Sequence, residues 1–448
     1  MAVKICAVNS KFIHSNPAVH SLACYCRSLC DINKIKIEVC EFTVNDVYKN
    51  VLHSIMSGRP EVIAFSVYIW NVSFISKLCG DIKKIDPSIK IILGGPEVSF
   101  DVPALFCEQD YDYIIAGEGE RAFACLISEI YGLDVAGCSD HLAEIPFIYS
   151  QDNINLFKDR IIYYESSRGC PFSCAYCLSA RSGQVRSLSV GRVCEDINFF
   201  IQAESVKQVK FVDRTFNYDK DRAYAIFEYI INNNRGGQNF HFEICADLLD
   251  ERAINLLKNA AVGLIQFEIG IQTTNEKALD ICGRKTDINK CFENIKLLLK
   301  NKNINIHVDL IAGLPEDSLE DFKHTFNQAY DLKADQLQLG FLKLLRGAPL
   351  NNLVEKYGYK FSSQPPYEIL ENACLSHEDL AVLHGVSIAL DRYYNSGRFA
   401  ESLDYYCGLF NTPFDFYARL SAYMLRHGWL YHPCSPENLN NILLEFIN

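Results

Sequence analysis

No stretch of this 448-residue chain is long and apolar enough to cross a membrane; its longest apolar runs are strand-sized. Basic residues are not in excess either. Lys and Arg number 43 against 55 Asp and Glu, a formal charge of −12, so no global positive field draws a polyphosphate and neither nucleic acid nor a membrane is an expected partner. No internal repeat or low-complexity tract occurs. The opening Met1–Val8 reads as one buried strand, too short for the apolar core of a secretory signal. Nineteen cysteines in that setting are expected as free thiols in a reducing cytoplasm, small buried hydrophobes rather than disulfides. The length predicts two to four domains with real cores.

One cysteine group stands apart. Arg168-Gly169-Cys170-Pro171-Phe172-Ser173-Cys174-Ala175-Tyr176-Cys177 is a C-x3-C-x2-C run, and three thiolates this close in sequence sit on one loop. Soft sulfur ligands in that number suit an iron–sulfur cluster. A cubane has four irons, so three cysteines leave one iron open to substrate, unlike the four-cysteine ligation of electron carriers. A structural zinc site wants four ligands, often as paired knuckles, and no second knuckle is present.

Residues 1–135 alternate short apolar strands (Lys4–Val8, Ile35–Cys40, Val62–Val67, Ile89–Leu93, Tyr111–Ile115) with amphipathic helical stretches such as Asn16–Leu29 and Val72–Lys84. That alternation predicts a doubly wound parallel sheet, with ligands bound beyond the carboxyl ends of its strands. Those ends carry Asn9 and Ser10, then Ser66 with Tyr68 and Trp70, then Gly94-Gly95-Pro96-Glu97, then Gly117-Glu118-Gly119. Paired glycines let a bulky ligand approach the backbone. A nicotinamide site is disfavoured, because the glycines follow late strands and form no G-x-G-x-x-G after the first.

Residues 136–160 read as a connecting linker or small hairpin. From 161 to 360 a second β/α series runs through Ile161–Glu165, Val209–Val212, Phe240–Cys245, Leu264–Ile271, Ile304–Ile311 and Gln336–Phe341, six units that predict an open relative of the (β/α)8 barrel. Polar residues on or after these strands are Asp213-Arg214, Glu243, Glu268 with Gln272, and His307 with Asp309, and Gly313-Leu314-Pro315-Glu316 follows the fifth. Functional side chains of such barrels lie at the carboxyl ends of strands. A carboxylate inside an apolar strand needs a partner, which is either a local arginine or a ligand. Pro365-Pro366 marks a break, and residues 361–448 then read as four helices rich in Tyr, Phe and Leu.

The cysteine run, with its aromatic before the last cysteine, resembles the cluster motif of the radical S-adenosylmethionine (SAM) superfamily. F-V-D-R-T-F-N, F-E-I-G-I-Q-T and D-L-I-A-G-L-P-E-D are similar to strand motifs of its cobalamin class. I-L-G-G-P-E-V-S and D-Y-I-I-A-G-E-G-E-R-A-F resemble the cobalamin-binding domain that precedes the barrel in that class, and the tail resembles a C-terminal domain of unknown function found in some members. The resemblance implies a [4Fe-4S] cluster on Cys170, Cys174 and Cys177, whose open iron chelates SAM and whose electron cleaves it to a 5′-deoxyadenosyl radical. It implies SAM contacts at Tyr176, Asp213, Arg214, Glu243, Glu268 and Gln272. Cobalamin contacts fall at Asn9, Ser10, Ser66, Tyr68, Gly94, Gly95, Pro96, Glu97, Gly117, Glu118 and Gly119. Two departures stand out: Asp213-Arg214 replaces the usual Gly-Gly-Glu, and D-x-H-x-x-G is absent, which leaves His14 a loop residue. The implied activity is methylation of an unactivated carbon or phosphorus in a small molecule or peptide, with an external donor such as flavodoxin or ferredoxin. Radical cyclisation without methyl transfer and a non-catalytic cobalamin or SAM sensor are the alternatives. Methylthiolation of tRNA would want three more cysteine ligands and a basic tail.

Overall fold

A computed structural model describes residues 2–29, 35–133, 138–181 and 183–447; the expected boundary at residue 135 lies outside them. The chain divides into two compact units, one of residues 1–168, 185–212 and 233–240, the other of 169–184, 213–232 and 241–448.

The first sheet contains β1 (Ala2–Asn9), β2 (Lys36–Thr43), β3 (Val62–Ser66), β4 (Lys90–Gly94) and β5 (Tyr113–Ile115) in the order β2-β1-β3-β4-β5. All four pairings are parallel. The strands bury both faces: Ile5 and Ala64 join one apolar cluster, and Cys6, Phe65 and Leu93 join the other. That is why they read as continuous apolar runs. Helices α1 (Pro17–Ser28), α2 (Tyr48–Met56), α3 (Val72–Ile85) and α4 (Glu120–Tyr131) cover them. Asn16 caps α1 from its side chain, with a proline in the first turn. The strand order reverses between β1 and β3, the crevice where such folds take ligands. β5 starts two residues later than its apolar run, because Asp112 turns back to accept from the Ile91 N–H at 2.8 Å and from Lys83 Nζ at 2.7 Å.

The connector, expected as a linker or a small hairpin, forms no hairpin among the described residues 138–161. Residues 138–161 carry two 3₁₀ turns, Leu142–Glu144 and Ile154–Phe157. Asn153 organises the second: its Oδ1 accepts from the Ser150 N–H at 2.8 Å and its Nδ2 donates to the Ile148 carbonyl at 2.8 Å. Within the second turn Ile154 is buried and Leu156 exposed.

The second sheet runs β6 (Ile162–Tyr164), β7 (Gln208–Phe211), β8 (Asn239–Ile244), β9 (Ile265–Gln272), β10 (Asn305–Ala312) and β11 (Gln336–Phe341), with neighbours in chain order. Helices α5 (Val190–Gln202), α6 (Lys220–Asn233), α7 (Glu251–Leu257), α8 (Glu276–Ile281), α9 (Ile288–Leu299) and α10 (Leu319–Asp331) separate the strands. Ile265, Phe267, Ile269 and Ile271 of β9 are buried, while Gln266, Glu268, Gly270 and Gln272 alternate with them on the other, less buried face. β10 alternates the same way, with His307 and Asp309 on the polar side.

Beyond β11 an antiparallel pair, β12 (Lys360–Phe361) and β13 (Ile369–Glu371), brackets Pro365-Pro366. The helices α11 (His377–Tyr393), α12 (Ala400–Cys407), α13 (Pro413–Arg426) and α14 (Pro436–Ile447) follow. Their tyrosines and phenylalanines are largely core: Tyr393, Phe416 and Tyr417 are fully buried. Among the described residues no helix is long and apolar enough to cross a membrane.

Candidate functional site

In the second unit the cysteine loop leaves Gly169 at φ 109°, a conformation open to glycine. Backbone bonds then pin it: the Ala175 N–H donates to the Cys282 carbonyl at 2.8 Å, the Leu350 N–H to the Ala175 carbonyl at 2.8 Å, and the Cys177 N–H to the Cys174 carbonyl at 3.0 Å. Cys174 is buried, while Cys170 and Cys177 are half-buried. Cys170 Sγ lies 3.7 Å from Thr215 Oγ1. Burial pushes the Cys174 thiol up, and the nearby Arg284 guanidinium and Tyr176 oppose that shift.

Arg284 is a residue that sequence reading missed. It donates to the Gly270 carbonyl, and Nη1 reaches Tyr176 Oη at 3.4 Å. Its Nε is buried without a partner, and no carboxylate pairs with it among the described residues. Beside it, a bulge between Gly270 and Gln272 interrupts the β9–β10 pairing. Gln272 sits there at φ 70°, its side chain folded over Gly270 and its Oε1 buried without a hydrogen bond. A non-glycine residue held in the left-handed region marks a constrained position. A buried acceptor and a buried donor, both unsatisfied, cost free energy unless a ligand completes them.

The other predicted acids have protein partners. Glu268 pairs with His241 at 3.1 Å, and Glu243 lies 4.0 Å from the exposed Arg214. His307 and Asp309 pair at 3.2 Å. Asp213 is fully buried. Asn217, also missed, ties the loop after β7 to the end of β8: it donates to the Cys245 carbonyl at 2.8 Å and accepts from the Cys245 N–H at 3.0 Å. Asp317 is the third residue missed. It has no exposed surface, and burial pushes its carboxyl up to about 7 against a Thr273 hydroxyl donated at 3.1 Å.

In the first unit the predicted rim residues divide into framework and open surface. Asn9 is buried and donates to the His14 carbonyl at 3.1 Å, and Ser66 Oγ accepts from Asn16 Nδ2 at 3.0 Å. Ser10 stays half-exposed. Asn71 closes the β3 loop by donating to the carbonyls of Val8 and Ser66 at 2.9 and 3.0 Å. This presents Tyr68 stacked on Trp70, with ring centroids 4.4 Å apart. Trp70 is half-exposed, and its indole N–H donates to the Val8 carbonyl at 3.1 Å. Glu97 is buried and Pro96 half-exposed. His14 Nδ1 lies 2.7 Å from Tyr163 Oη.

The glycines differ in kind. A Cβ on Gly95, at φ 111°, would come within 2.5 Å of the Val67 carbonyl oxygen, so close backbone packing requires that glycine. A Cβ on Gly94 would meet only Ile115, at 3.7 Å, and one on Gly117 would meet nothing within 4 Å. At Gly119 it would touch Leu22 at 3.0 Å. A side chain would therefore find open space at Gly117 and ordinary contact at Gly94, but would collide at Gly95. The Glu118 carboxylate is engaged by two arginines, Arg168 at 3.0 Å and Arg186.

Comparison with known proteins matches three families in succession: the B12 binding domain over residues 3–127, the radical SAM superfamily over 164–329 and a protein family of unknown function, DUF4080, over 355–448. A cobalamin-dependent radical SAM methyltransferase, TokK, from Streptomyces tokunonensis is 24% identical over 343 residues, 67% of this chain and 50% of that protein. An anaerobic magnesium-protoporphyrin IX monomethyl ester cyclase from Rubrivivax gelatinosus is 22% identical, covering 65% of this chain and 58% of its own length. The chain thus spans about half the length of the curated relatives it matches. Among solved structures, the cobalamin-dependent SAM radical enzyme OxsB with aqua-cobalamin bound superposes with TM-score 0.70 at 15% identity, covering 100% of this chain and 80% of that one. The radical SAM methyltransferase TsrM from Kitasatospora setae gives 0.65 at 16%, covering 79% and 78%; both likenesses speak to the fold. A radical SAM domain implies a [4Fe-4S] cluster and SAM, and a B12-binding domain implies cobalamin. By these matches the chain carries, in order, a B12-binding domain, a radical SAM domain and a DUF4080 domain.

Proposed function

We propose that the chain is a cobalamin-dependent radical SAM methyltransferase acting at an unactivated carbon or phosphorus of a small molecule or peptide. The observation that carries this reading is the cysteine loop beside a guanidinium with no carboxylate partner among the described residues and an amide oxygen with no hydrogen bond, in a chain whose first sheet has open space at Gly117 and only ordinary contact at Gly94. The residues present fit the implied groups. Among the described residues no three His, Cys, Asp or Glu side chains converge on a single-ion position, whereas a cubane takes each thiolate on a different iron and needs no such convergence.

When bound, these groups supply hydrogen abstraction by a radical and donation of a methyl group; the protein supplies position and shelter from water. Cys170, Cys174 and Cys177 would hold three irons. Arg284 matches the carboxylate of SAM in charge and geometry, and Gln272 Oε1 matches its ammonium. Tyr176, packed against Arg284, would keep the guanidinium aimed. Glu243 and Glu268, already anchored to Arg214 and His241, would face ribose or substrate hydroxyls. The stacked Tyr68 and Trp70 offer an apolar plate at the corrin rim.

The reading extends to the remaining architecture: residues 1–135 as the cobalamin domain, 136–160 as connector, 161–360 as the radical SAM domain and 361–448 as a helical cap that shapes the substrate pocket. The reductant would be a small electron carrier such as flavodoxin or ferredoxin, in the cytoplasm. A net charge of −12 argues against a nucleic-acid substrate. The cyclase relative favours one rival, radical cyclisation without methyl transfer.

Anaerobic reconstitution tests the core. About four irons per chain are expected, with reductive SAM cleavage measured as 5′-deoxyadenosine. The Cys170→Ala/Cys174→Ala/Cys177→Ala variant should lose both, and an unchanged cluster in it would refute the reading. Methyl-labelled SAM then separates methylation from cyclisation, since only the former places label in the product.

A further inference from the structure

We infer that Glu118 is a positioning residue that couples cobalamin binding to the cluster loop, by holding both stems of that loop with one carboxylate. This inference rests on the reading above, that Gly117–Gly119 borders the corrin and that the three cysteines carry the cluster. The two stems are themselves a short antiparallel ladder, Ser167 opposite Ser187 and Arg168 opposite Arg186. Between them in the chain lie residues 169–185, which include all three cysteines of the run. Arg168 Nη1 donates to Glu118 Oε2 at 3.0 Å, and Arg186 Nη2 donates to Glu118 Oε1. Both oxygens of a single side chain are thus shared between the residue entering the loop and the residue leaving it.

The neighbours sharpen the arrangement. Arg168 also donates to Glu120 at 2.8 Å and to Glu165 at 2.6 Å. Arg186 also donates to the Asp140 carbonyl at 3.1 Å. Glu120 is the first residue of α4 and accepts from Ser21 Oγ at 2.9 Å, so it anchors Arg168 to the framework and does not report on the rim. Glu118 is different. It stands between Gly117, whose open side faces no protein atom, and Gly119, and its side chain is half-exposed. A ligand that presses on Gly117 moves the one carboxylate on which both stems converge. An isolated exposed ion pair carries little energy, but two guanidiniums on one carboxylate fix its orientation, since each arginine presents a planar fork of donors. The two stems thereby share one anchor at the rim of the first sheet.

Linkage makes the inference measurable, because coupling between two sites is reciprocal. The affinity for hydroxocobalamin is measured by equilibrium titration in four full-length proteins: wild type and Glu118→Gln, each with the cluster reconstituted and each with iron removed by anaerobic chelation. Wild type should bind hydroxocobalamin about fivefold or more differently in the two cluster states. Glu118→Gln should bind with the same affinity in both, and Glu118→Asp, which keeps the charge, should restore part of the difference. A purely structural role would weaken binding equally in both cluster states and leave the ratio intact. An intact ratio in Glu118→Gln, or no ratio in wild type, overturns the coupling while leaving the proposed function standing. Absence of cobalamin binding in every protein overturns both. Circular dichroism before titration guards against a misfolded Glu118→Gln, and in that event Arg186→Gln, which removes one arm alone, gives the same test.

Discussion

Arg284 and Gln272 are informative as single residues because each carries a buried polar atom with nothing to bond. Removing a group that serves only the fold moves stability; removing one that serves a ligand moves affinity. Arg284→Gln is therefore expected to weaken SAM binding by about tenfold to a hundredfold, the cost of a lost charge-assisted hydrogen bond, with iron content unchanged. Unaltered SAM affinity by calorimetry would remove Arg284 from the site. The glycines separate by the same logic. Gly94→Val should block cobalamin with little loss of stability, because its Cβ meets only Ile115, at the ordinary contact distance of 3.7 Å. Gly95→Ala should destabilise the first unit, because its Cβ collides with the Val67 carbonyl at a backbone angle few L residues adopt. The opposite pattern in thermal melts and cobalamin titrations would exchange their roles. Asp317 makes a third case. Its folded carboxyl titrates near 7, above the unfolded value, so the folded state binds the proton more tightly and stability falls as pH rises from about 4 to 7. The whole effect is at most about 4 kcal/mol. Asp317→Asn should flatten that dependence in melts at pH 5 and pH 8, and equal slopes for the two proteins would show that Asp317 is already ionised.

At the scale of elements, period and punctuation made most of the fold legible. Gln336–Phe341 falls where the pattern placed it and the tail carries the four helices expected of it, because each is bounded by turn residues and buries a regular face. The radical SAM domain was legible because the cysteine spacing itself points to a chemistry. What stayed hidden has local causes. The connector alternates like a strand, yet Asn153 and Ser150 trade backbone bonds for side-chain bonds and fold it into turns. The β12–β13 pair is only two and three residues long, below any period. Arg284 lies in a loop after α8, 107 positions beyond Cys177; only the fold brings it beside the cysteine loop. Glu118 was legible as a rim residue, but its two arginine partners come from a ladder of two-residue strands that no pattern announces.

At the scale of the molecule, the first compact unit does not end where its sheet ends. Residues beyond 135 satisfy groups buried within it. Tyr25 Oη donates to the Ser139 carbonyl at 3.0 Å and accepts from the Ser139 N–H at 2.8 Å. Arg160 pairs with Glu41, and Arg168 with Glu120. Burial alone would raise the carboxyls of Glu41 and Glu120, yet both are held below the ordinary range, Glu41 with help from His20 and Arg160 and Glu120 by Arg168. A fragment cut at 135 keeps both carboxylates and loses both arginines. Breaking one fully buried ion pair costs about 3–5 kcal/mol; these two are partly exposed, and Glu41 keeps His20 while Glu120 keeps Ser21, so each loss is smaller, yet together they are a sizeable part of the ~5–15 kcal/mol that holds a whole domain together. A fragment of residues 1–135 is therefore expected to melt well below one of residues 1–168, and to regain part of the difference as the pH falls and the orphaned carboxylates protonate. Cobalamin binding should follow the fold, present in the longer fragment and weak or absent in the shorter. Equal melting temperatures at pH 7 would mean that the sheet and its four helices are self-sufficient, and that these arginines contribute nothing to holding the first unit together.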